Sequence, residues 1–319
     1  MDLKNSRILL TGGAGFLGSA IKRRLIQDGV PEGHITVPRS AHTDLRDKAF
    51  CDLIVPGHDV VIHAAGNVGG IGKNRDHPDS LCEDNLLMGI HLLHAARRSG
   101  VKKFVTIGTV CEYPKFAFVP FKESELWGGY PEETNAPYGL AKKMLLVLGQ
   151  AHRQVSKLNV IHPIVVNLYG PGDNFDPKSS HAIPALIVKI AEAKKANQPT
   201  IEVWGTGMAT REFLYVDDAA EAIVKATELY DKSEPINIGS GLEIPIKNLT
   251  YLIANLMEYK GEIIWDSTKP DGQPRRCLDV SKAKEEFNFQ STTDFKTGLK
   301  ATIDWYEKLE NSRQEAEGS

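Results

Sequence analysis

The sequence lacks the features of secreted, membrane-spanning and zinc-binding proteins. Its 319 residues include only four cysteines, which are widely spaced and form no CxxC pair. Neither a disulfide framework nor a metal site is therefore predicted. No apolar run approaches the roughly 20 residues that a bilayer-spanning helix needs, and the first residues, MDLKNSRILLTGG, contain no signal-peptide cleavage pattern. We expect a cytoplasmic protein that makes no contact with a membrane.

An excess of positive charge is also absent. The chain has 38 lysines and arginines against 41 aspartates and glutamates, which gives a net charge of −3 at pH 7. Surfaces that bind nucleic acids are normally basic, so nucleic acid is not an expected partner. Because a domain takes roughly 150 residues, the length predicts two domains or one large core.

Short runs of β-forming residues alternate with helical patterns through the first half of the chain. The runs RILLTG and DVVIHAAG, for example, alternate with helical patterns such as NLLMGIHLLHAARRSG. This alternation is typical of βαβ units, in which helices cover both faces of a parallel sheet. We predict an α/β fold: a Rossmann-type doubly wound parallel sheet in residues 1–170, with a returning segment near 212–240. A smaller, mixed substrate-binding domain is predicted from residues 171–211 and 241–319.

A glycine-rich turn follows the first predicted strand and precedes a predicted helix. Such a turn lets the backbone approach a diphosphate, which then accepts hydrogen bonds from the unpaired N–H groups at the start of the helix. The turn predicts a dinucleotide site made by Gly12, Gly13, Ala14, Gly15, Phe16, Leu17 and Gly18.

The residues after the second predicted strand select the dinucleotide. Chains that bind NAD usually carry a carboxylate there for the adenosine ribose, but this chain has Arg39 and Ser40. Both can hold a 2′-phosphate, so we predict NADP(H) as the cofactor, with NADPH preferred over NADH. The alternative for Arg39 is an exposed loop arginine. Asp44 either faces the adenine amino group or caps the helix that contains Lys48.

Tyr138 and Lys142 are four residues apart, on the same face of a predicted helix. We expect the ammonium group to lower the pKa of the phenol from about 10, so that Tyr138 can act as a general acid for a ketone. Thr109, at the end of a predicted strand, would bond to the same substrate oxygen. Because YxxxK pairs also occur by chance on surface helices, this interpretation depends on the glycine-rich turn.

Further motifs extend along nearly the whole chain. They are NVGGI (67–71), CEYPK (111–115), TNAPY (134–138), NLYGPGDNF (167–175), SHAIP (180–184), WGTG (204–207), REF (211–213) and DGQPR (271–275). With the glycine-rich turn and the YxxxK pair, they resemble the extended short-chain dehydrogenase/reductases and, more narrowly, the GDP-L-fucose synthase family. One departure is that members often carry Ser-Ser-Cys where this chain has Thr109, Val110 and Cys111.

The resemblance implies a 3,5-epimerase and NADPH-dependent 4-reductase that converts GDP-4-keto-6-deoxy-D-mannose to GDP-L-fucose. Cys111 and His181 would exchange protons at C3 and C5 of the sugar, and Tyr138, Lys142 and Thr109 would serve the reduction. The nucleotide end of the substrate would contact Lys189, Trp204, Arg211 and Asp271. Further cofactor contacts would come from Ala64, Ala65, Gly66, Ile107, Gly108, Thr109, Lys142, Val165, Asn167, Leu168 and His181.

Three alternatives stay open at this point. Without the resemblance, Cys111 reads as a packed thiol and His181 as a residue at a helix start. A related nucleotide-sugar 4-epimerase or 4-keto-reductase needs the same cofactor but no second acid–base pair. A non-catalytic NADP(H)-binding scaffold needs the cofactor but no catalytic residues.

Two predicted helices are apolar on more than one face, and we predict that each pairs with its copy in a homodimer. Their apolar residues are Leu86, Leu87, Met88, Ile90, Leu92 and Leu93 in one helix and Met144, Leu145, Leu146, Val147 and Leu148 in the other. The alternative is that neighbouring helices of the same chain cover these faces.

Overall fold

The computed structural model describes residues 1–269 and 271–317. Its strands are β1 (Ile8–Thr11), β2 (Ile35–Thr36), β3 (Val60–His63), β4 (Lys103–Thr106), β5 (Gly108–Thr109), β6 (Asn159–Ile161), β7 (Pro163–Val165), β8 (Asn167–Tyr169), β9 (Thr200–Trp204), β10 (Thr210–Tyr215), β11 (Ile236–Ile238), β12 (Glu243–Pro245) and β13 (Glu262–Asp266). Its α-helices are α1 (Phe16–Gln27), α2 (Lys48–Ile54), α3 (Ile71–Asp76), α4 (Pro78–Arg98), α5 (Ala136–Val155), α6 (Ala182–Lys195), α7 (Val216–Leu229), α8 (Ile246–Leu256), α9 (Ser281–Phe287) and α10 (Phe295–Glu317).

The central sheet is parallel, with the strand order β2-β1-β3-β4-β6. It continues through β5, β7 and β11, because β5 directly follows β4 and β7 directly follows β6. Every residue of β1 and of β3 is buried. Strands covered on both faces are expected to be apolar throughout rather than alternating, which is the pattern that predicted them. The predicted Rossmann-type parallel sheet is confirmed.

The turn between β1 and α1 depends on two glycines. Gly12 has a φ of +71°, in the left-handed region, and a Cβ on Gly18 would lie 2.1 Å from the Gly12 carbonyl oxygen. A side chain at either position would therefore push the helix away from the strand. The close contact holds the start of α1 at the carboxyl end of β1.

Two large hydrophobic clusters lie on either side of this edge of the sheet. One surrounds the central strands and includes Ile62 and Ile164, while the other joins α6, α8 and α10 and includes Ile187 and Leu249. The chain returns to the first cluster after β10, because α7 packs on α1 and β11 pairs with β7. The division into two domains at the predicted boundaries stays a prediction.

The remaining strands, β8, β9, β10, β12 and β13, form two small sheets. β10 pairs with β8 in parallel and with β12 in antiparallel fashion, and β9 pairs with β13 in parallel. None of the helices in residues 1–269 and 271–317 is long and apolar enough to cross a membrane. The loops after β8, β9 and β13 face the carboxyl ends of β1, β3 and β5 across a cleft.

Candidate active site

A cleft of about 1660 Å³ follows the carboxyl edge of the sheet, where parallel α/β folds commonly bind ligands. We call its two sides the strand wall and the loop wall. The strand wall consists of the lining residues within 12–18, 64–70, 107–111 and 138–142. The loop wall consists of those within 172–189, 203–211 and 272–276.

The glycine-rich turn opens the strand wall. Gly12, Ala14, Gly15, Phe16, Leu17 and Gly18 all line the cleft. The Gly15 N–H donates to the Gly12 carbonyl at 2.8 Å, and no side chain in the described part of the chain caps the start of α1. The first N–H groups of α1 are thus available to an anion, as a diphosphate site requires.

Gly13 differs from its neighbours in the turn. It is not among the residues that line the cleft, and a Cβ on it would lie 2.8 Å from Cγ2 of Val37. Its lack of a side chain therefore serves the packing of the turn beside β2.

The predicted adenosine end of the cofactor site is lined by Arg39, Ser40 and Asp44. Arg39 is exposed and forms no ion pair with any residue of the described ranges. Asp44 is engaged by Arg46, whose Nη2 lies 2.8 Å from its Oδ2, and this contact lowers the pKa of Asp44 to about 2. The alternative that Asp44 caps α2 is wrong, because Asp47 accepts the capping hydrogen bond from Ala49 at 2.8 Å.

Tyr138 and Lys142 lie on α5 and line the same cleft as Thr109. Burial lowers the pKa of Lys142 to about 8. Burial, followed by the neighbouring Cys111 and Glu112, raises the pKa of Tyr138 above its ordinary value, against the effect of a hydrogen bond with Thr109. The expectation that Lys142 lowers this pKa is therefore wrong. Tyr138 is held as the neutral phenol, which is the form that can donate a proton.

A buried polar network supports the turn that carries Thr109. The Glu112 carboxylate accepts a hydrogen bond from the Thr109 N–H at 2.8 Å and lies 3.1 Å from Nε2 of His162. The other ring nitrogen of His162 lies 2.6 Å from the Thr106 hydroxyl. Glu112 and His162 are fully buried. Sequence analysis assigned no role to either, although a glutamate next to an apolar strand end is an available signal.

Cys111 and His181 both line the cleft, Cys111 as part of the strand wall and His181 as part of the loop wall. Cys111 is half-buried on the strand wall, and its sulfur lies 3.7 Å from Nη1 of Arg276. His181 occupies the N-cap position of α6 on the loop wall, and the surrounding protein lowers the pKa of its imidazole from the ordinary value. By contrast, Cys51 is buried outside the cleft, and burial raises its pKa to about 12.

Three of the four predicted substrate residues line the loop wall, namely Lys189, Trp204 and Arg211. The Arg211 guanidinium donates to the carbonyls of Thr210 and Gln273, both at 2.7 Å. It forms no ion pair with a carboxylate of the described residues. Burial lowers its pKa to about 10, so Arg211 stays cationic at neutral pH and can take an anion.

The fourth, Asp271, is not a lining residue. Its carboxylate accepts hydrogen bonds from the N–H of Thr206 at 2.7 Å and from the hydroxyl at 2.6 Å. Asp271 therefore fixes the turn after Trp204. Lys189 donates to the Glu202 carbonyl at 2.7 Å, so it is anchored beside β9.

Ten further predicted cofactor contacts also line the cleft. They are Ala64, Ala65, Gly66, Ile107, Gly108, Thr109, Lys142, Val165, Asn167 and Leu168. All come from the ends of β3, β5, β7 and β8 or from the start of α5, so the parallel topology gathers them at one edge. The sequence analysis did not identify Arg46 or Arg276 as residues of the cleft. Each lies within two positions, in sequence, of a residue that it did name, Asp44 and Arg275.

The family model described as the NAD dependent epimerase/dehydratase family matches residues 8–239. A putative GDP-L-fucose synthase 2 of Arabidopsis thaliana is 39% identical over 312 residues, which are 97% of this chain and 93% of the relative. A GDP-L-fucose synthase of Escherichia coli K12 is 36% identical in an alignment of 319 positions that covers 97% of this chain and 98% of the relative.

A solved structure shares the fold. The crystal structure of a GDP-L-fucose synthetase from Naegleria fowleri bound to NADP matches with a TM-score of 0.86 and 29% sequence identity. The match covers 97% of this chain and 94% of that chain.

Proposed function

The chain belongs to the NAD dependent epimerase/dehydratase family, and from this premise we propose that it is a 3,5-epimerase and NADPH-dependent 4-reductase. Its substrate is GDP-4-keto-6-deoxy-D-mannose and its product GDP-L-fucose, which agrees with the names of its relatives. One observation carries the proposal. The cleft lined by Tyr138, Lys142 and Thr109 is also lined by Cys111 and His181, and a simple reductase has no use for such a second pair.

Epimerisation uses the ketone at C4. The ketone acidifies the protons on C3 and C5, because the carbanion left behind delocalises into an enolate. Inversion at either carbon needs a base on one face of the sugar and an acid on the other. Cys111 on the strand wall and His181 on the loop wall supply these groups, and Thr109 with Tyr138 donates to the enolate oxygen.

Reduction takes place at the same ketone. Tyr138 is held as a neutral phenol by burial, and its Oη donates a proton to the C4 oxygen. Lys142, which is 4% exposed, lies one helical turn further along α5 and supplies positive charge as the phenolate forms. The Glu112–His162 pair keeps Thr109 in place for both reactions.

The residues of the strand wall fit NADP(H), although the structure contains no ligand. A Cβ on Gly12 would lie 2.5 Å from the Ala65 nitrogen, so the absence of a side chain lets the turn pack against the end of β3, and the first N–H groups of α1 would hold the diphosphate. Arg39 and Ser40 face the cleft without a carboxylate competitor for a 2′-phosphate. When bound, NADPH supplies the hydride for C4.

The nucleotide end of the substrate binds the loop wall. Arg211 offers a planar fork of donors to the diphosphate, and Trp204, which is exposed, offers an aromatic face to the base. Asp271 acts indirectly, by holding the turn at Thr206.

The proposal is tested by NADPH oxidation with GDP-, dTDP-, UDP- and CDP-linked 4-keto-6-deoxy-hexoses, with product stereochemistry determined by NMR. We expect turnover of the GDP-linked manno sugar, deuterium from solvent at C3 and C5, and inversion at both carbons. Reduction without deuterium incorporation identifies a 4-keto-reductase instead. Cofactor binding without turnover of any of these sugars identifies a scaffold.

We also propose a homodimer in which α4 and α5 pair with their copies. These two helices pack against each other, and Leu92, Leu93 and Leu145 are buried. Ile90, Met144 and Val147 remain 41%, 49% and 36% exposed, and burying such a row is the usual reason for helix pairing between subunits. Light scattering at micromolar concentration should give the dimer mass for the native chain and the monomer mass for Val147→Glu. A monomeric native chain contradicts the proposal.

A cytoplasmic location completes the proposal. The four cysteines are all free in the structure, as expected in a reducing compartment. Cell fractionation tests this location.

A further inference from the structure

Cys111 has a charged neighbour that no motif indicated. Arg276 is 9% exposed, lines the cleft and places Nη1 3.7 Å from the Cys111 sulfur. Its guanidinium forms no ion pair with a carboxylate of the described residues. A buried guanidinium without a carboxylate partner is costly, so the thiol is the group to which its charge is directed.

The direction of the Arg276 side chain is set by its own loop. Its Nε donates to Oε1 of Gln273 at 2.7 Å, and Nε2 of Gln273 donates to the Lys115 carbonyl at 2.9 Å. Gln273 is buried as well. This relay ties the loop wall to the segment that follows Cys111, and it fixes which nitrogen of the guanidinium faces the sulfur.

The other charged or titratable groups around Cys111 do not supply a positive charge in direct contact with its sulfur. Arg211 also interacts with Cys111 electrostatically, but it is engaged with loop carbonyls. Tyr138 is neutral because burial raises its pKa. Glu112, the next residue in the chain, is turned toward His162 and the Thr109 N–H. Arg276 is thus the cation in direct contact with the sulfur.

We propose that Arg276 is a positioning residue that favours the thiolate form of Cys111 and aims the sulfur into the cleft. The inference rests on the proposed function in one respect, namely that Cys111 is the base of the epimerisation. The thiolate, not the thiol, removes a proton from carbon, and a cation in contact with the sulfur raises the fraction of thiolate at neutral pH.

The test measures alkylation of Cys111 by iodoacetamide between pH 6 and 10, with the modified peptide identified by mass spectrometry. The reagent reacts with the thiolate. For Arg276→Gln we expect alkylation at pH 7 to be about tenfold slower, because the sulfur loses the neighbouring positive charge. Arg276→Lys, which keeps the charge, should recover part of the rate.

Arg275→Gln is the matched control. Arg275 is the preceding residue in the same loop, is exposed and pairs with Glu243, so its loss should leave the Cys111 profile unchanged. The rate at pH 10 reports access to the sulfur and should be equal in all variants. The inference is overturned if Arg276→Gln keeps the native profile, if Arg275→Gln slows alkylation equally, or if the rate at pH 10 falls as much as the rate at pH 7.

Alkylation needs no substrate, so its outcome is independent of the proposed function. Deuterium exchange into the 4-keto sugar is measured on the same variants. If Arg276→Gln changes the alkylation profile but the native enzyme exchanges no deuterium into the 4-keto sugar, the proposed function is overturned and the role of the Cys111–Arg276 contact stands. If the alkylation profile of Arg276→Gln is unchanged while the native enzyme exchanges deuterium normally, only the proposed role of the Cys111–Arg276 contact is overturned.

Discussion

The strand wall carries its functional groups beside a buried side-chain network, whereas the loop wall holds its cations by hydrogen bonds to loop backbone. Lys142 and Thr109 are buried on a network that includes Glu112 and His162. Arg211 and Lys189 instead donate to the carbonyls of neighbouring loops. A phenol and a hydroxyl can pass protons, while a guanidinium or ammonium held by loop carbonyls presents a positive charge in a fixed direction. The strand wall is therefore suited to proton transfer at C4, and the loop wall to recognition.

The acid–base pair for epimerisation combines the two. Cys111 follows β5 on the strand wall, and His181 starts α6 on the loop wall. In the proposed mechanism each residue serves one face of the sugar ring, as inversion requires. The walls can therefore be tested separately, and the following predictions run from the largest expected effect to the smallest.

Loss of the Tyr138 hydroxyl should have the largest effect. Tyr138→Phe removes the acid at the C4 oxygen, so the rate of NADPH oxidation with the GDP-linked ketosugar should fall by about 10² to 10⁴. NADPH binding should be retained. The control is Tyr230→Phe, since Tyr230 is buried in the core and its hydroxyl donates to the Glu234 carbonyl at 2.9 Å. More than a tenth of native activity in Tyr138→Phe would place the acid elsewhere.

Removal of either member of the epimerisation pair should separate the two reactions. Cys111→Ser and His181→Asn should each slow deuterium incorporation at C3 and C5 by about 10² or more, while reduction of the unepimerised ketone persists. NMR with oxidised cofactor measures the exchange, and NADPH consumption is followed in parallel. Cys82→Ser, at a partly exposed thiol on α4, should behave as the native chain. Native exchange in Cys111→Ser means that the base is another group.

On the loop wall, Arg211→Met should act on binding rather than on proton transfer. Loss of a charged hydrogen bond to a diphosphate is worth about 1.5–3 kcal/mol, or roughly 10- to 150-fold in KM for the nucleotide sugar. The kcat and the KM for NADPH should change little. Steady-state kinetics with both substrates separate these parameters. A drop in kcat without a change in KM would show that Arg211 acts in the chemical step and not in binding.

Arg39 should have the smallest effect, because an exposed ion pair contributes only about 1 kcal/mol. Arg39→Ala should raise the KM for NADPH about fivefold and leave the KM for NADH unchanged. The native enzyme should have a higher kcat/KM with NADPH than with NADH. Equal values with the two cofactors contradict the assignment of the 2′-phosphate to Arg39 and Ser40.

The two walls also differ in what could be predicted from the sequence. The strand wall follows from local patterns, because a buried strand, a glycine-rich turn and a YxxxK helix are short motifs whose relative positions follow from parallel topology. The loop wall does not follow from local patterns of this kind. Its residues were indicated by the family resemblance, and the side-chain directions of Asp271 and Arg276 depend on contacts with Thr206 and Gln273.

By itself the sequence determined the parallel α/β sheet, the glycine-rich turn at Gly12–Gly18 and the position of Tyr138 and Lys142 on one helix face, because each is coded within a few residues. Only the tertiary structure decided the proton affinities and the partners. Burial raises the pKa of Tyr138, Arg46 pairs with Asp44, and Arg276 contacts Cys111, which lies 165 residues away along the chain. Burial and long-range contacts depend on how distant segments pack, and no local pattern of residues records that.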